Sequence, residues 1–176
     1  MTYFMTSDEH LGHRNIIKYC KRPFDSAEEM DNTLINNHNS VVSKDDLVIH
    51  AGDFTLAKRD IAEKYIRRLN GRHLFLKGSH DRWLPNTAPY IYEKMIQGVY
   101  VVVCHYAMRT WPRSHYGSIQ LFGHSHGTLI AGKNQYDVGV DNNSYFPISL
   151  EDILKKVGVC NCLMCKANKE MKGRII

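Results

Sequence analysis

The sequence predicts an α/β domain in which helices cover the faces of β-sheets. The observation that favours this class is that short apolar runs alternate with segments of helical periodicity. The chain contains no internal repeat or low-complexity segment. Its 176 residues suit one domain, and hydrophobic and charged fractions of 43% and 23% are ordinary for a globular protein. We expect that domain over residues 1–157, with a tail over residues 158–176.

In the first half, helices are expected to alternate with strands at residues 2–6, 47–50 and 74–76. Ser26 and Glu29 have the spacing of a capping box, which predicts a helix from Ser26 to about Val42. Apolar residues at helical spacing predict a second helix from about residue 59 to residue 70, closed by Gly71.

In the second half, apolar runs rich in β-branched residues predict strands at residues 98–104, 119–122 and 135–140. Ser149 begins a predicted capped helix that continues to Val157. The tail contains Cys160, Cys162 and Cys165 among basic residues. Three thiolates could bind zinc with a fourth ligand from elsewhere, or they could be free thiols; the spacing leaves both open.

Charge and composition narrow the class of partner. The net charge of +5 is modest, so it permits an anionic substrate without requiring nucleic acid. No stripe of Lys and Arg with interleaved aromatic residues is visible, which argues against nucleic-acid binding. The longest apolar run, residues 99–104, is too short to cross a bilayer. Five cysteines without a secretion signal are typical of reduced thiols, so we expect a cytoplasmic protein with no membrane partner.

Most of the predicted strands end in Asp or His residues, many of them beside glycine. These endings are Ser7-Asp8-Glu9-His10, Gly52-Asp53, Gly78-Ser79-His80-Asp81, His105 and Gly123-His124-Ser125-His126. Ligands of α/β sheets bind beyond the carboxyl ends of strands, and residues two apart in an extended segment project to the same side. Asp8 with His10, and His124 with His126, can therefore each present two ligands to one centre.

The donors in these endings are imidazole and carboxylate, a mixture that suits Mn, Fe, Zn or Ni more than a closed structural zinc site. The alternative is that each His bonds to nearby backbone and each Gly-Asp forms a turn. That alternative explains any single ending, but it does not explain why nearly every strand ends in this way.

The series of endings resembles the calcineurin-like metallophosphoesterases over residues 2–157. It is most similar to small bacterial and phage phosphoesterases that open with S-D-x-H-x-G-H-x-N-I, which here is residues 7–16. The segment from His105 to Trp111, H-Y-x-M-R-x-W, is also similar to that subgroup. The resemblance implies a four-layer α/β/β/α sandwich with two mixed sheets and two metal ions between loops at one edge.

The resemblance also implies roles for individual residues. The first metal would be held by Asp8, His10 and His126, the second by His105 and His124, with Asp53 bridging both. His80 would lie beside the substrate phosphate, and Asp81 would either orient His80 or cap the following segment. Two divalent ions, Mn²⁺ in the first instance and otherwise Fe, Zn or Ni, would activate a metal-bridging hydroxide for attack on phosphorus.

Several residues near these motifs have two interpretations. Three of them are candidates for substrate contact, namely His13, Asn15 and Arg109. In the alternative, His13 and Asn15 begin a helix and Arg109 is a solvated surface charge. Tyr106 and Trp111 either stack on a base or sugar of the substrate or wall a pocket.

The expected activity is hydrolysis of phosphomonoesters or phosphodiesters of a small substrate, nucleotides included. One position departs from the family pattern, because Ser79 stands where the family usually has an Asn that ligates the second metal. This departure motivates an alternative, a binding scaffold on the same fold with a weakened metal site.

Overall fold

Two four-stranded sheets form the framework of the domain. In the computed structural model, which describes residues 1–158, the first sheet has the order β3-β2-β1-β8. Its strands are β1 (Tyr3–Thr6), β2 (Leu47–His50), β3 (Arg72–Phe75) and β8 (Ile148–Ser149). The strands β1, β2 and β3 are parallel, and β8 runs antiparallel to β1, so this sheet is mixed.

The second sheet has the order β4-β5-β6-β7. Its strands are β4 (Ile91–Ile96), β5 (Val99–Cys104), β6 (Ile119–Phe122) and β7 (Gln135–Asp137). The strands β4 and β5 form an antiparallel hairpin, whereas β5, β6 and β7 are parallel. The predicted α/β class with two mixed sheets is therefore confirmed.

The described residues form α1 (Arg14–Tyr19), α2 (Ala27–Val41), α3 (Arg59–Ile66) and α4 (Leu150–Lys156), with 3₁₀ turns at Ser114–Tyr116 and Val140–Asn142. Within residues 1–158, none of these helices has the length and apolar character needed to traverse a bilayer. The capping box begins α2 as predicted: the Ser26 hydroxyl accepts a hydrogen bond from the Glu29 N–H, at 3.1 Å.

The main core lies between the two sheets. Met5 and Ile49 from the first sheet meet Val101, Val103 and Leu121 from the second, and all five are fully buried. Since side chains alternate along a strand, the intervening residues of the first sheet face the opposite side. There Met30 and Leu34 of α2 pack with Phe54, Phe75 and other residues of a second cluster. This packing fixes both sheets against each other and so fixes the loops at their shared edge.

The outer face of the second sheet is covered by the segment after β5. The Arg113 guanidinium lies over the Tyr100 ring, 4.4 Å from its centroid. The buried side chain of Gln120 donates to the Tyr106 carbonyl at 3.2 Å and accepts from the Met108 N–H at 3.3 Å. These contacts anchor the chain immediately after His105, which is one of the predicted ligands.

Several predicted boundaries are wrong. The second predicted helix ends at Ile66 rather than residue 70, because the next residues form turns with bonds from Arg68 to Tyr65 and from Leu69 to Ile66. The strand predicted at 74–76 spans residues 72–75. The strand predicted at 135–140 ends at Asp137, where the chain leaves the second sheet and forms a bridge between Gly139 and Ser7.

Two strands were not predicted, namely β4 and β8. The domain boundary at residue 157 stays a prediction, and the cysteines at 160, 162 and 165 lie outside the described residues.

Candidate metal centre

The predicted ligands converge at the edge of the domain that the two sheets share. One group has ligand atoms within 4.8 Å of one another and consists of Asp8, His10 and His126; a second such group consists of Asp53, His105 and His124. Each group draws on loops from both sheets, since β1 and β2 precede Asp8 and Asp53, while β5 and β6 precede His105 and His124. The six residues predicted as metal ligands thus form two adjacent clusters. Asp8 and His10 share a group as expected, whereas His124 and His126 lie in different groups, so the pairing predicted for them is wrong.

The Asp53 carboxylate lies between the two clusters. Its Oδ2 atom is 3.8 Å from Nε2 of His10 in the first group and 3.3 Å from Nε2 of His105 in the second. Asp53 is 2% exposed, and its other oxygen accepts a hydrogen bond from the His80 N–H at 2.8 Å. A single carboxylate oxygen is therefore within reach of cations bound in either group.

Unpartnered donor atoms test whether these residues fit divalent cations. Among the described residues, Asp8 Oδ1, both ring nitrogens of His10 and His105 Nε2 are buried without a hydrogen-bond partner. Burying such polar atoms unpaired costs about 1–3 kcal/mol each. The other His105 nitrogen, Nδ1, lies 3.0 Å from the Ala51 carbonyl, which leaves Nε2 as the nitrogen available to a metal. The donor set and its unpaired atoms fit a metal centre.

The ligand loops adopt a backbone conformation that non-glycine residues rarely use. Five of the six predicted ligands have φ in the left-handed region: Asp8 (61°), His10 (52°), Asp53 (57°), His124 (66°) and His126 (47°). Such strain costs about 1–3 kcal/mol per residue and concentrates at functional sites. Its coincidence with the ligands indicates that the fold holds these side chains in place at the expense of local stability.

Two glycines permit the close approach of the loops. A Cβ on Gly78 would collide with the Asp53 carboxylate, and one on Gly123 would collide with the Ser7 hydroxyl and with Asp8 Oδ2. Because the colliding atoms belong to ligand loops, any side chain at either position would displace a predicted ligand.

A buried salt bridge supports His126 and was not predicted from the sequence. The Asp141 carboxylate lies 2.7 Å from Nδ1 of His126, so Nε2 of that ring is left for a metal. Arg22, 4% exposed, donates to both Asp141 oxygens at 2.7 Å. Its guanidinium also donates to the carbonyls of Asp8 and Glu9, at 2.7 and 3.0 Å. Arg22 therefore holds the first ligand loop and the partner of His126 together.

A second buried network lies on the other side of the first ligand loop. The Glu9 carboxylate is 2.7 Å from Nδ1 of His50, and Nε2 of His50 is 3.0 Å from Nδ1 of His73. His50 is fully buried, and burial lowers its pKa to about 3, so it is neutral at ordinary pH. Glu9 separates Asp8 from His10, and its bond to His50 anchors the middle of this strained loop.

Residues 79–81 lie against Asp53. The Ser79 hydroxyl donates to Asp53 Oδ2 at 2.8 Å, and His80, whose side chain is 46% exposed, places Nε2 3.9 Å from the same oxygen. The Asp81 carboxylate accepts hydrogen bonds from the N–H groups of Asp53, Phe54 and Gly78 and from the Trp83 indole. Asp81 therefore fixes the backbone that carries Asp53. This differs from both predicted roles, because the backbone N–H groups it accepts from precede it in the chain, and among the described residues it makes no bond to His80.

The predicted substrate-contact residues differ in their placement. His13 precedes α1, and its ring centroid is 5.5 Å from that of His10, so it borders the first group. Asn15 and Arg109 are exposed, and no described contact joins either to a predicted ligand. The Tyr106 ring contacts both His105 and His124, whereas the Trp111 indole donates to the Ser118 carbonyl, in keeping with a structural role.

Burial and neighbouring charge set the protonation of the ligands. Burial raises the pKa of Asp8 to about 7, against the opposing effect of His105 and His126, and lowers the pKa of His10 to about 3. Burial would also raise the pKa of Asp53, but the His105 side chain and the His80 N–H outweigh it and hold that pKa well below its usual range. Asp53 is therefore ionised and His10 neutral, the forms that bind metals, whereas Asp53 raises the pKa of His105 and Asp141 raises that of His126, in both cases against the effect of burial.

Comparison with solved structures supports the fold. A protein of unknown function from Aquifex aeolicus, AQ665, superposes with a TM-score of 0.67 at 20% identity, covering 88% of this chain and 98% of that chain. A conserved uncharacterized protein of Streptococcus pneumoniae TIGR4, described as a predicted phosphoesterase, has a TM-score of only 0.43 at 15% identity, over 78% of this chain and 70% of that chain. The first similarity shows a shared fold, whereas the second is too remote to show one.

Comparison with protein sequences identifies a relative. No family profile matches the chain. The uncharacterized protein MJ1445 of Methanocaldococcus jannaschii is 32% identical over 163 residues, which cover 88% of this chain and 90% of that protein. Identity at this level over nearly the whole length shows common descent, and the chain belongs to the same family as MJ1445.

Proposed function

We propose that this protein is a metal-dependent phosphoesterase of the calcineurin-like type, with two divalent ions bound at the two ligand groups. The observation that carries the proposal is the position of Asp53, whose Oδ2 atom lies within 4 Å of a histidine nitrogen from each group. Paired ions that share a carboxylate are typical of enzymes that cleave phosphate esters. Mn²⁺ is the metal that we expect to support activity best.

Six residues would serve as ligands of the two ions. Asp8, His10 and His126 would hold one ion, and His105 and His124 the other, with Asp53 shared. Bound ions supply an activated water and neutralise the charge of a phosphoryl group. Asp141 keeps the proton of His126 on Nδ1, and the Ala51 carbonyl does the same for His105, so both rings present an unprotonated nitrogen to the ions.

His80 is placed to handle the phosphate. Its ring is half exposed, its Nε2 lies 3.9 Å from Asp53 Oδ2, and its backbone N–H is tied to the other Asp53 oxygen. A substrate phosphate beside Asp53 would therefore meet His80 Nε2, which can donate a hydrogen bond to a phosphoryl oxygen or a proton to the leaving group. His13, at the margin of the first group, is a second candidate donor to the phosphate.

The test is hydrolysis of p-nitrophenyl phosphate and of bis(p-nitrophenyl) phosphate with added Mn²⁺. We expect turnover of at least one ester, abolished by EDTA and by Asp53→Ala, while Asp60→Asn, which changes an exposed carboxylate on α3, retains it. No turnover with Mn²⁺, Fe²⁺, Zn²⁺ or Ni²⁺ would refute the proposal.

The second candidate function, a binding scaffold with a weakened metal site, is favoured by Ser79. Its hydroxyl donates to Asp53 Oδ2, the oxygen that both ions would share, so it competes with them for that atom. A scaffold predicts that no ester is hydrolysed and that partner binding survives Asp53→Ala, the opposite of the result expected for an enzyme.

A further inference from the structure

The Tyr106 ring lies directly beside the second ligand group. Its centroid is 4.9 Å from that of His105 and 4.7 Å from that of His124, and both rings meet it edge to face. The side chain is nevertheless exposed, with 45% of the residue surface open to solvent. An aromatic ring in this position is accessible to whatever is attached to a phosphate bound at the ions.

The backbone that carries Tyr106 is held by hydrogen bonds from two glutamine side chains of the second sheet. Gln120, which is fully buried, donates to the Tyr106 carbonyl at 3.2 Å and accepts from the Met108 N–H and from the Gln135 side chain. Gln135 in turn donates to the Met108 carbonyl at 2.7 Å. Two glutamines thus clamp residues 106–108, so the exposed ring needs little ordering when a ligand binds.

We infer that Tyr106 forms a leaving-group subsite that favours phosphate esters of aromatic alcohols or of nucleosides. The inference rests on the proposed function, because it assumes a phosphate at the ions. A flat ring of the ligand would pack against the exposed part of Tyr106, and such aromatic pairs contribute about 0.5–1.5 kcal/mol beyond the area that they bury. An aliphatic group of the same size would gain only the area.

The test measures binding of two phosphonates that cannot be hydrolysed at their C–P bond. Phenylphosphonate and cyclohexylphosphonate differ in aromaticity at similar size, and calorimetry with the Mn²⁺-loaded protein gives the ratio of their affinities. We expect phenylphosphonate to bind about fivefold more tightly in the natural sequence. Tyr106→Leu should bring the two affinities together, and Tyr106→Phe should keep the preference.

A matched control is Tyr116→Leu, because Tyr116 is 88% exposed on the 3₁₀ turn at Ser114–Tyr116 and no described contact joins it to a ligand group. This variant should keep the preference for the phenyl compound. The Mn²⁺ content of each variant is measured in parallel, and we expect Tyr106→Leu to retain its ions.

Three results would overturn the subsite. They are equal affinities in the natural sequence, an unchanged ratio in Tyr106→Leu, and loss of ions in Tyr106→Leu, which would mean that the ring acts only by supporting His124. Failure of the proposed function is distinguishable from these. A phenyl preference without hydrolysis of any ester refutes the enzyme and leaves Tyr106 only as an aromatic contact for a bound ligand, whereas hydrolysis with equal phosphonate affinities refutes the subsite alone.

Discussion

Replacing Arg22 by Met should destabilise the domain more than any surface substitution of comparable size. Arg22 is 4% exposed and makes four hydrogen bonds to site residues: two to the Asp141 carboxylate and one each to the carbonyls of Asp8 and Glu9. Met preserves much of the side-chain volume but leaves a buried carboxylate without its cation. Breaking a buried ion pair in this way costs about 3–5 kcal/mol.

The corresponding assays are urea denaturation and thermal denaturation of the metal-free protein, both followed by circular dichroism. A loss of this size in a domain of this length corresponds to a fall in Tm of about 10 °C. Because Asp141 positions His126, the Mn²⁺ affinity of Arg22→Met should also fall, by about 10–100-fold.

Arg59→Met serves as the control, because the Arg59 side chain is 70% exposed and, within residues 1–158, pairs only with Glu63 on the same helix. Its cost should be below about 1 kcal/mol. If Arg22→Met is no more destabilising than Arg59→Met, or if its Mn²⁺ affinity is unchanged, the supporting role assigned to Arg22 is wrong.

Three further predictions concern neighbouring features. In Ser79→Asn, the second metal site should fill at a lower Mn²⁺ concentration, because the Asn amide oxygen is an additional ligand. Identical Mn²⁺ titrations for both proteins would count against this. Asp81→Asn should weaken Mn²⁺ binding and cost about 1–3 kcal/mol on urea denaturation, because an amide cannot accept all the N–H bonds that Asp81 receives; unaltered stability would exclude that role. Burial lowers the pKa of His38 from 6.5 to about 4, so the unfolded chain takes up this proton first and stability is lost as the pH falls from 6.5 towards 4. Between about pH 7 and pH 5, the free energy of unfolding measured by urea denaturation should therefore fall by about 2 kcal/mol less in His38→Gln than in the natural sequence. Equal falls in the two proteins would contradict this assignment.

The sequence predicts elements whose pattern is strong and local. The capping box of Ser26 and the β-branched run of β5 identify their elements within one residue or so, because propensity and burial agree there. The strand β4 could not be found in this way. It lies at the edge of the second sheet, and four of its six residues are exposed, so it has no buried face to produce an alternating pattern.

At the site, too, the residues within local motifs could be predicted, whereas contacts between distant parts of the chain could not. The proximity of Asp8, His10 and the other predicted ligands could be predicted because each follows a strand, and strand ends meet at one edge of a sheet. Arg22 and Asp141 are 119 positions apart and follow no motif, so only the folded chain shows their salt bridge. The left-handed φ angles of the ligands were equally inaccessible, since Asp and His do not by themselves require that conformation.

An anomalous-diffraction map from crystals grown with Mn²⁺ would show directly whether two ions bind at the shared edge of the sheets. We expect two peaks, one among Asp8, His10 and His126 and the other among His105 and His124, with the Asp53 carboxylate in contact with both. No peak at either group, or a peak that Asp53 does not touch, would contradict this expectation.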